Sequence, residues 1–316
     1  MRLLLITPAF NKKYNDNAYA YIHMRNLGMQ ICVIAARKRT LKAPGYDLPY
    51  ENVDGIEIYR IYKEGQDQKL HFLSKYDQVK NVVRNFRPDL ILCSQQGNMP
   101  LAKKIKTDFN IPIVLLVEFI FRPDNPFKFI GHHNKIKSKL IGRFFGAIYW
   151  KWIIKDVSAI ITCFHEDRFK QSINSIPLYY VPWPCHPNFD YTTINKKKNR
   201  GIFIGALTSN KNIIEFERTL PLIVEKTPTE EFLIVGFGNY KYIVDKLKKK
   251  YPKKIRYIPH LLLKDALELI ANSYYAYTPV THGGWGFFGD CWAMKTPIVV
   301  THNDYDLKDR VDSLVT

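Results

Sequence analysis

The sequence predicts an α/β protein with two domains, each built on a parallel β-sheet. Three observations support this prediction. Short runs rich in leucine and β-branched residues alternate with amphipathic, helix-length segments along the whole chain. The chain has 316 residues, roughly twice the length of a common single domain. A segment with neither helical nor strand periodicity divides the alternating pattern into two series.

The first series supplies predicted strands that are separated in most places by helices. They are Leu3–Thr7, Gln30–Ala35, Ile56–Tyr62, Leu90–Cys93, Ile113–Val117, Ala159–Thr162 and Tyr179–Val181. The second series supplies Gly201–Ile204, Phe232–Val235, Ile255–Ile258, Tyr275–Thr278 and Ile298–Thr301. We therefore expect two α/β units facing a cleft, where such proteins bind ligands at the carboxyl ends of their strands.

The boundary between the two series falls in a stretch rich in proline and lysine. Residues 182–187 are Pro-Trp-Pro-Cys-His-Pro, and three consecutive lysines stand at 196–198. Neither stretch has the period of a helix or a strand. We therefore predict a first domain over 1–187, a linker over 188–200 and a second domain over 201–316.

The composition is that of a packed protein from a reducing compartment. Hydrophobic residues make up 46% of the chain and charged residues 24%, far from a disordered composition. The five cysteines are scattered and form no C-x-x-C pair, which excludes a disulfide scaffold. Leu3–Thr7 is too short for a secretory signal, and charges interrupt the apolar region Leu140–Ile154. We expect a cytoplasmic protein without a transmembrane helix.

The chain carries an excess of positive charge. Lys and Arg number 47 against 29 Asp and Glu, giving +18 at neutral pH. Such an excess attracts phosphates, nucleic acid or anionic lipid, and charge alone does not choose among them. The stretch Phe127–Lys155 interleaves cations with aromatic residues. It can pack its apolar face inside the first domain, dock on an anionic membrane surface, or do both with different faces.

Two glycine-containing loops follow predicted strands of the second series and lead into helices. In the loop 205–211, backbone amides and Lys211 could converge on an anion, or Lys211 could be a solvated surface residue. In Val235-Gly-Phe-Gly238, the glycines allow close approach to a ligand or simply form a tight turn. Lys241 replaces the third glycine of a dinucleotide fingerprint, and a Walker phosphate loop is absent.

The most specific segment is 278–301. A strand ends at a proline, a glycine-rich loop follows, Asp290 stands near a predicted helix start, and Thr296-Pro297 leads into the next strand. This segment resembles the nucleotide-sugar loop of retaining glycosyltransferases of family 4. The loop 205–211 resembles the phosphate loop of that family, and Val235–Gly238 resembles its Gly-x-Gly turn. The resemblance implies the GT-B architecture, two Rossmann-like parallel-sheet domains facing a cleft.

The resemblance also implies a donor site in the second domain. Its donor-binding residues would be Gly205, Gly236, Gly238, Gly284, Gly286, Phe287, Phe288 and Asp290. Asp290 would bind the ribose hydroxyls, while Lys211 and helix amides would stabilise the departing diphosphate. His282 would contact a sugar hydroxyl or the phosphate. Glu118 is the nearest polar candidate in the first domain, which makes Lys211, His282 and Glu118 the candidate catalytic residues.

Several positions depart from the family pattern. His282 replaces a glutamate, Ala206 replaces the usual arginine, and Ser94-Gln95-Gln96 gives no match for the histidine expected in the first domain. Family members continue through further helices after the position of Thr301, so the second domain here is either truncated or unusually short. We interpret Asp304-Tyr-Asp306 as a turn and expect no metal site. No cofactor is expected besides the nucleotide-sugar substrate.

The function implied by the resemblance is transfer of a sugar from a nucleotide-diphosphate sugar to a lipid-linked or glycan hydroxyl, with retention. The enzyme would be cytoplasmic and peripheral on the inner face of a membrane. Three alternatives stay open: a nucleotide-sugar epimerase of the same fold, a catalytically inactive sugar-binding scaffold and a non-enzymatic basic nucleic-acid-binding protein. Nucleic acid is the less favoured partner, because many lysines crowd 245–254 and the linker rather than one groove.

Overall fold

The computed structural model describes much of the chain. The described residues are 1–8, 10, 17–37, 48–63, 70–117, 148, 151–162, 176–181, 197–208, 211–279 and 285–300. The chain divides into two units, Met1–Pro182 and Trp183–Thr316, each with its own sheet.

The first unit contains an eight-stranded sheet of order β3-β4-β2-β1-β5-β6-β7-β8. Its strands are β1 (Arg2–Ile6), β2 (Gln30–Arg37), β3 (Tyr50–Val53), β4 (Ile56–Lys63), β5 (Leu90–Ser94), β6 (Ile113–Val117), β7 (Val157–Thr162) and β8 (Leu178–Tyr180). Helices of this unit include α1 (Asn17–Asn26), α2 (Tyr76–Phe86) and α3 (Met99–Phe109). The central strands are nearly continuous runs of buried apolar residues, because helices cover both faces of a parallel sheet.

The strand pairs of the first unit are parallel except for β3 and β4. These two strands form a hairpin that was not predicted. Asp54 and Gly55 join them with φ values of 51° and 80°, the positive values that a type I′ turn requires. The Gly55 amide also donates to Asn52 Oδ1 at 3.1 Å. The strand was missed because β3 alternates exposed with partly buried residues at the sheet edge.

The second unit contains a five-stranded parallel sheet of order β11-β10-β9-β12-β13. Its strands are β9 (Lys197–Ile204), β10 (Glu231–Val235), β11 (Ile255–Ile258), β12 (Ser273–Thr278) and β13 (Ile298–Val300). The described helices are α4 (Phe216–Lys226), α5 (Lys241–Lys250), α6 (Leu263–Ala271) and α7 (Trp285–Ala293). The predicted α/β class with parallel sheets is therefore confirmed.

Strand β9 begins inside the segment that was predicted to be linker. Residues 197–200 belong to the strand, so the prediction of an irregular segment up to Arg200 is wrong there. The Arg200 side chain donates to Glu231 Oε2 of β10 through Nε at 2.8 Å and through a terminal nitrogen at 2.5 Å. Glu231 compensates the positive charge of Arg200. The basic residues 197–200, whose composition suggests an irregular segment, therefore form the beginning of strand β9.

Each sheet has a switch point, where successive strands of the chain are placed on opposite sides of a central strand. In the first unit β1 lies between β2 and β5, and in the second unit β9 lies between β10 and β12. Open α/β sheets bind ligands at such switch points, outside the carboxyl ends of the strands. The topology therefore marks one ligand-binding edge in each unit. None of the described helices is long and apolar enough to cross a membrane.

Candidate functional site

The loops after β9 and β10 are joined backbone to backbone. The Gly205 amide donates to the Val235 carbonyl at 3.0 Å, and the Leu207 amide donates to the Phe237 carbonyl at 2.8 Å. The Leu207 carbonyl in turn accepts a hydrogen bond from the Tyr240 amide at 3.0 Å. The two loops, which we call the paired loops (205–208 and 236–240), therefore form one hydrogen-bonded structure at the switch point of the second sheet.

Close backbone contact accounts for the glycines of the second paired loop. Gly236 has φ +140° and Gly238 has φ +154°, a region that residues with a side chain rarely adopt. A β-carbon at Gly236 would lie 1.9 Å from the Gly205 carbonyl oxygen, and one at Gly238 would lie 2.2 Å from that of Leu207. The structure thus brings Gly205, Gly236 and Gly238 together. Gly236 and Gly238 are glycines because the backbone of the neighbouring loop leaves no space for a side chain.

Lys211 lies directly after this structure, at the beginning of a 3-10 turn. Its amide donates to the Thr208 carbonyl at 3.1 Å, and its side chain is partly buried. Burial lowers the pKa of Lys211 from 10.5 to about 8. Lys211 is therefore not a fully solvated surface lysine. At pH 7 it is still mostly protonated, and its charge interacts more strongly with an anion than a charge in open water would.

The first turn of α7 contains Gly286, Phe287 and Phe288. The ring centroids of Phe287 and of Phe203 in β9 are 5.9 Å apart, and a β-carbon added at Gly205 would lie 3.0 Å from the Phe203 ring. Phe288 is buried, with its ring 6.3 Å from that of Trp292. Phe287 therefore packs the start of α7 against β9, while Phe288 is buried beside a residue of its own helix. What this turn offers an anion is its backbone amides and the positive end of the helix dipole.

Asp290 does not lie at a helix start, so that part of the prediction is wrong. Helix α7 begins at Trp285, and the Asp290 carbonyl accepts a regular helical hydrogen bond from the Met294 amide at 2.9 Å. A capping role requires the first turn and is excluded. The helix starts early because its aromatic residues pack, which outweighs the low helix propensity of Gly286 and Gly289. Asp290 is buried, with 9% of its surface exposed.

Three predicted site residues lie outside the described residues: Glu118, His282 and Gly284. So do Asp304 and Asp306, and most of Phe127–Lys155. Where that basic aromatic stretch is described, Ile153 is fully buried and Trp152 is 40% exposed, with Lys103 Nζ 3.7 Å from the Trp152 ring centroid. Among the described residues, no group of three or more His, Cys, Asp or Glu side chains could hold a metal ion.

The turn after β5, at the switch point of the first sheet, holds residues that the sequence analysis considered only for a missing histidine. Gln95 has φ 71° and ψ 144°, a combination almost restricted to glycine. Asn98 is buried and donates through Nδ2 to the Ser94 carbonyl at 2.7 Å. No sequence pattern predicts this backbone conformation for a glutamine, so the unusual turn could be recognised only from the structure.

Comparison with known proteins shows similarity in structure. No protein-family model matches the sequence, and no curated protein matches it. Sucrose-phosphate synthase from Thermosynechococcus elongatus aligns with TM-score 0.67 and 12% identity over 95% of this chain and 80% of that one. The E. coli trehalose-6-phosphate protein bound with UDP-2-fluoro glucose aligns with TM-score 0.65 and 12% identity over 95% and 84%.

A third solved structure, WaaG, is a glycosyltransferase involved in lipopolysaccharide biosynthesis. It aligns with TM-score 0.63 and 11% identity, over 94% of this chain and 80% of its own. At such identities the similarity concerns the fold. Together with the two doubly wound sheets, it shows that this chain has the GT-B fold of two Rossmann-like α/β units.

Proposed function

We propose that this protein is a glycosyltransferase that moves a sugar from a nucleotide-diphosphate sugar to a hydroxyl of a glycan or lipid-linked acceptor, with retention of configuration. The observation that carries the proposal is the position of Lys211: a partly buried cation directly after the paired loops, at the switch point of the second sheet. Solved structures of similar fold include complexes with UDP-2-fluoro glucose and with UDP and glucose.

The diphosphate of the donor would bind near two sources of positive potential. Lys211 supplies a full charge and the first turn of α7 supplies amides, whereas the amides of Gly205 and Leu207 already donate to the carbonyls of Val235 and Phe237. When the bond to the sugar breaks, negative charge grows on the departing phosphate, and fixed donors in a partly desolvated site stabilise it without reorganising. Ala206 stands where family 4 has an arginine. In our proposal Lys211 is therefore the side chain of this loop that stabilises the charge of the departing diphosphate.

The remaining roles follow the resemblance to family 4. Asp290 would accept hydrogen bonds from the ribose hydroxyls, and Gly284 and Gly286 would let the donor approach the backbone. His282 would contact a sugar hydroxyl or the phosphate, and Glu118 would supply the polar group of the first unit. We further propose that the reaction uses no metal ion, and that the enzyme works at the cytoplasmic face of a membrane.

The test is a thermal-shift panel of UDP, GDP, ADP and their sugars, because a selective ligand stabilises the folded state by mass action. We expect one nucleotide series to raise the Tm of the wild type and to lose most of this effect in Lys211→Met. The matched control is Lys248→Met, which removes an exposed lysine of α5. A wild type that no nucleotide stabilises would overturn the proposal, and sugar conversion without any acceptor would indicate an epimerase.

A further inference from the structure

We propose that Phe203 is a positioning residue that sets the spacing between Lys211 and the first turn of α7, and thereby the preference of the site for a diphosphate over a monophosphate. The inference rests on the proposed function and deepens it. Phe203 is the last residue but one of β9 and is 1% exposed, so its ring is out of reach of any ligand. It acts through the elements that pack on it.

The ring of Phe203 lies against the loop that follows its own strand. A β-carbon added at Gly205 would stand 3.0 Å from Cζ of this ring, closer than carbon atoms normally approach. The loop continues through Leu207, which is fully buried in the same hydrophobic core as Phe203. Gly205 therefore leaves space for the ring, and the ring in turn supports the backbone that leads to Lys211.

The segment after Lys211 is anchored in the same core. Ile213 is fully buried there, as Leu207 is before Lys211. Phe216 begins α4, and its ring meets that of Phe203 edge to face, with 5.0 Å between centroids and 90° between planes. A contact of this geometry fixes an angle as well as a distance. The backbone is thus held in this core both before and after Lys211.

The first turn of α7 packs on the same ring. Phe287 belongs to this turn, and its ring is inclined at 62° to that of Phe203, with 5.9 Å between centroids. The amides of a first turn have no acceptor within their own helix. One buried side chain therefore contacts the residue that begins α4, after Lys211, and the turn that supplies amides, although these elements are far apart in the sequence.

A fixed spacing matters more to a diphosphate than to a monophosphate. A diphosphate has two charged groups joined by one oxygen, so it gains from both donors at once when their separation is fixed. A monophosphate is held by a single donor. Shortening the ring leaves both donors in place but frees their separation, and the second contact then costs conformational entropy. Interiors are packed closely enough that such a change reaches the neighbouring elements.

The test is Phe203→Leu, with affinities for UDP and UMP measured by isothermal titration, or for the GDP or ADP pair if the thermal-shift panel selects that base. We expect affinity for the diphosphate to fall roughly tenfold and affinity for the monophosphate less than about twofold. The matched control is Phe232→Leu in β10. Phe232 is equally buried, and its ring meets those of Tyr275 and Tyr277 at 6.3 Å each.

Both variants should lower the Tm by a similar amount, because each removes part of a buried ring. Only Phe203→Leu should lower the ratio of diphosphate to monophosphate affinity. An unchanged ratio in Phe203→Leu, or an equal fall in Phe232→Leu, would overturn the inference. If Phe203→Leu does not fold, Phe203→Met replaces it with the same expectation, since methionine fills much of the volume without a rigid ring.

Pyrophosphate and phosphate form a second pair of probes that needs no base. Their affinity ratio should also fall in Phe203→Leu and not in Phe232→Leu. If the wild type binds no nucleotide but prefers pyrophosphate, and this preference depends on Phe203, the proposed function fails while the spacing role of Phe203 holds. A wild type that binds neither nucleotides nor pyrophosphate would overturn both.

Discussion

Gly238 lies so close to Leu207 that a β-carbon at position 238 would stand 2.2 Å from the Leu207 carbonyl oxygen. The same carbonyl accepts the Tyr240 amide at 3.0 Å. The turn after β10 therefore has a structural reason for glycine that does not involve a ligand. In our proposal the loop 205–208 leads to the phosphate-binding Lys211. The position of this loop therefore depends on Gly238, which belongs to the other paired loop.

We expect Gly238→Ala to lower the free energy of unfolding by about 2–4 kcal/mol, since it adds a steric clash to an unfavourable φ. Affinity for UDP should fall as well, because the displaced Leu207 carries the loop that leads to Lys211. Urea denaturation and UDP titration measure the two effects. The control is Gly28→Ala, at φ +91° with no atom within 4 Å of the added carbon. It should lose only about 1–2 kcal/mol and keep its UDP affinity.

Affinity for UDP should depend on pH through Lys211. Burial lowers its pKa to about 8, and only the protonated form attracts the diphosphate. Raising the pH from 7 to 9 takes the free protein from mostly charged to mostly neutral at this residue, so affinity should fall by about tenfold. Isothermal titration at several pH values measures this. Lys211→Met should bind weakly at every pH, and a wild type with a flat profile would contradict the assignment.

Asp290→Asn should reduce affinity for the nucleotide sugar by roughly tenfold, because it removes a charged acceptor for hydroxyl groups. The position of Asp290 in the second turn of α7 simplifies the interpretation, since no helix cap is changed. The control is Asp265→Asn, an exposed residue in the first turn of α6, which should leave affinity unchanged. A lowered Tm with unchanged affinity for Asp290→Asn would make the carboxylate structural.

Transfer activity should survive EDTA, because in our proposal Lys211 and backbone amides balance the charge of the diphosphate. The measurement is product formation before and after chelation, with added Mg²⁺ or Mn²⁺ as the rescue. Complete loss that either metal restores would contradict the prediction. It would also make Asp304 and Asp306 candidate metal ligands.

Anionic vesicles test the basic aromatic stretch. Replacing Lys135, Lys137 and Lys139 together by Ser should weaken binding to phosphatidylserine vesicles without unfolding the protein, and salt should weaken wild-type binding in the same way. The matched control removes the same charge from the second unit, at Lys248, Lys249 and Lys253. Equal loss in both variants would show that binding depends on net charge alone.

Hydrophobic patterning predicted most of this fold because a parallel sheet buries its strands on both faces. Runs such as Ile113–Val117 and Phe232–Val235 are typical of strands in the core of such a sheet. The meeting of Gly205, Gly236 and Gly238 could also be predicted, since loops at the carboxyl ends of neighbouring parallel strands share one edge. What patterning missed lies at sheet edges and ends: the half-exposed strand β3 and the basic beginning of β9.

The details of the site depended on contacts that sequence does not show. The low helix propensity of Gly286 and Gly289 favours a loop, whereas in the structure this segment is a helix whose Phe287 ring packs against Phe203. That packing moves Asp290 from a cap position to a helix interior. The backbone of Gln95 is likewise fixed by its hydrogen bond to Leu116, a partner supplied by the neighbouring strand.

The hydrogen bonds between the paired loops bear on how this protein can be re-engineered. A graft that replaces 205–208 with the loop of another GT-B protein, and leaves 236–240 in place, would separate the Leu207 amide from the Phe237 carbonyl and the Tyr240 amide from its acceptor. An insertion in either segment would do the same. If the proposed function holds, changes of donor preference should therefore succeed when both segments are exchanged together, and natural variation in the lengths of the two segments should be correlated.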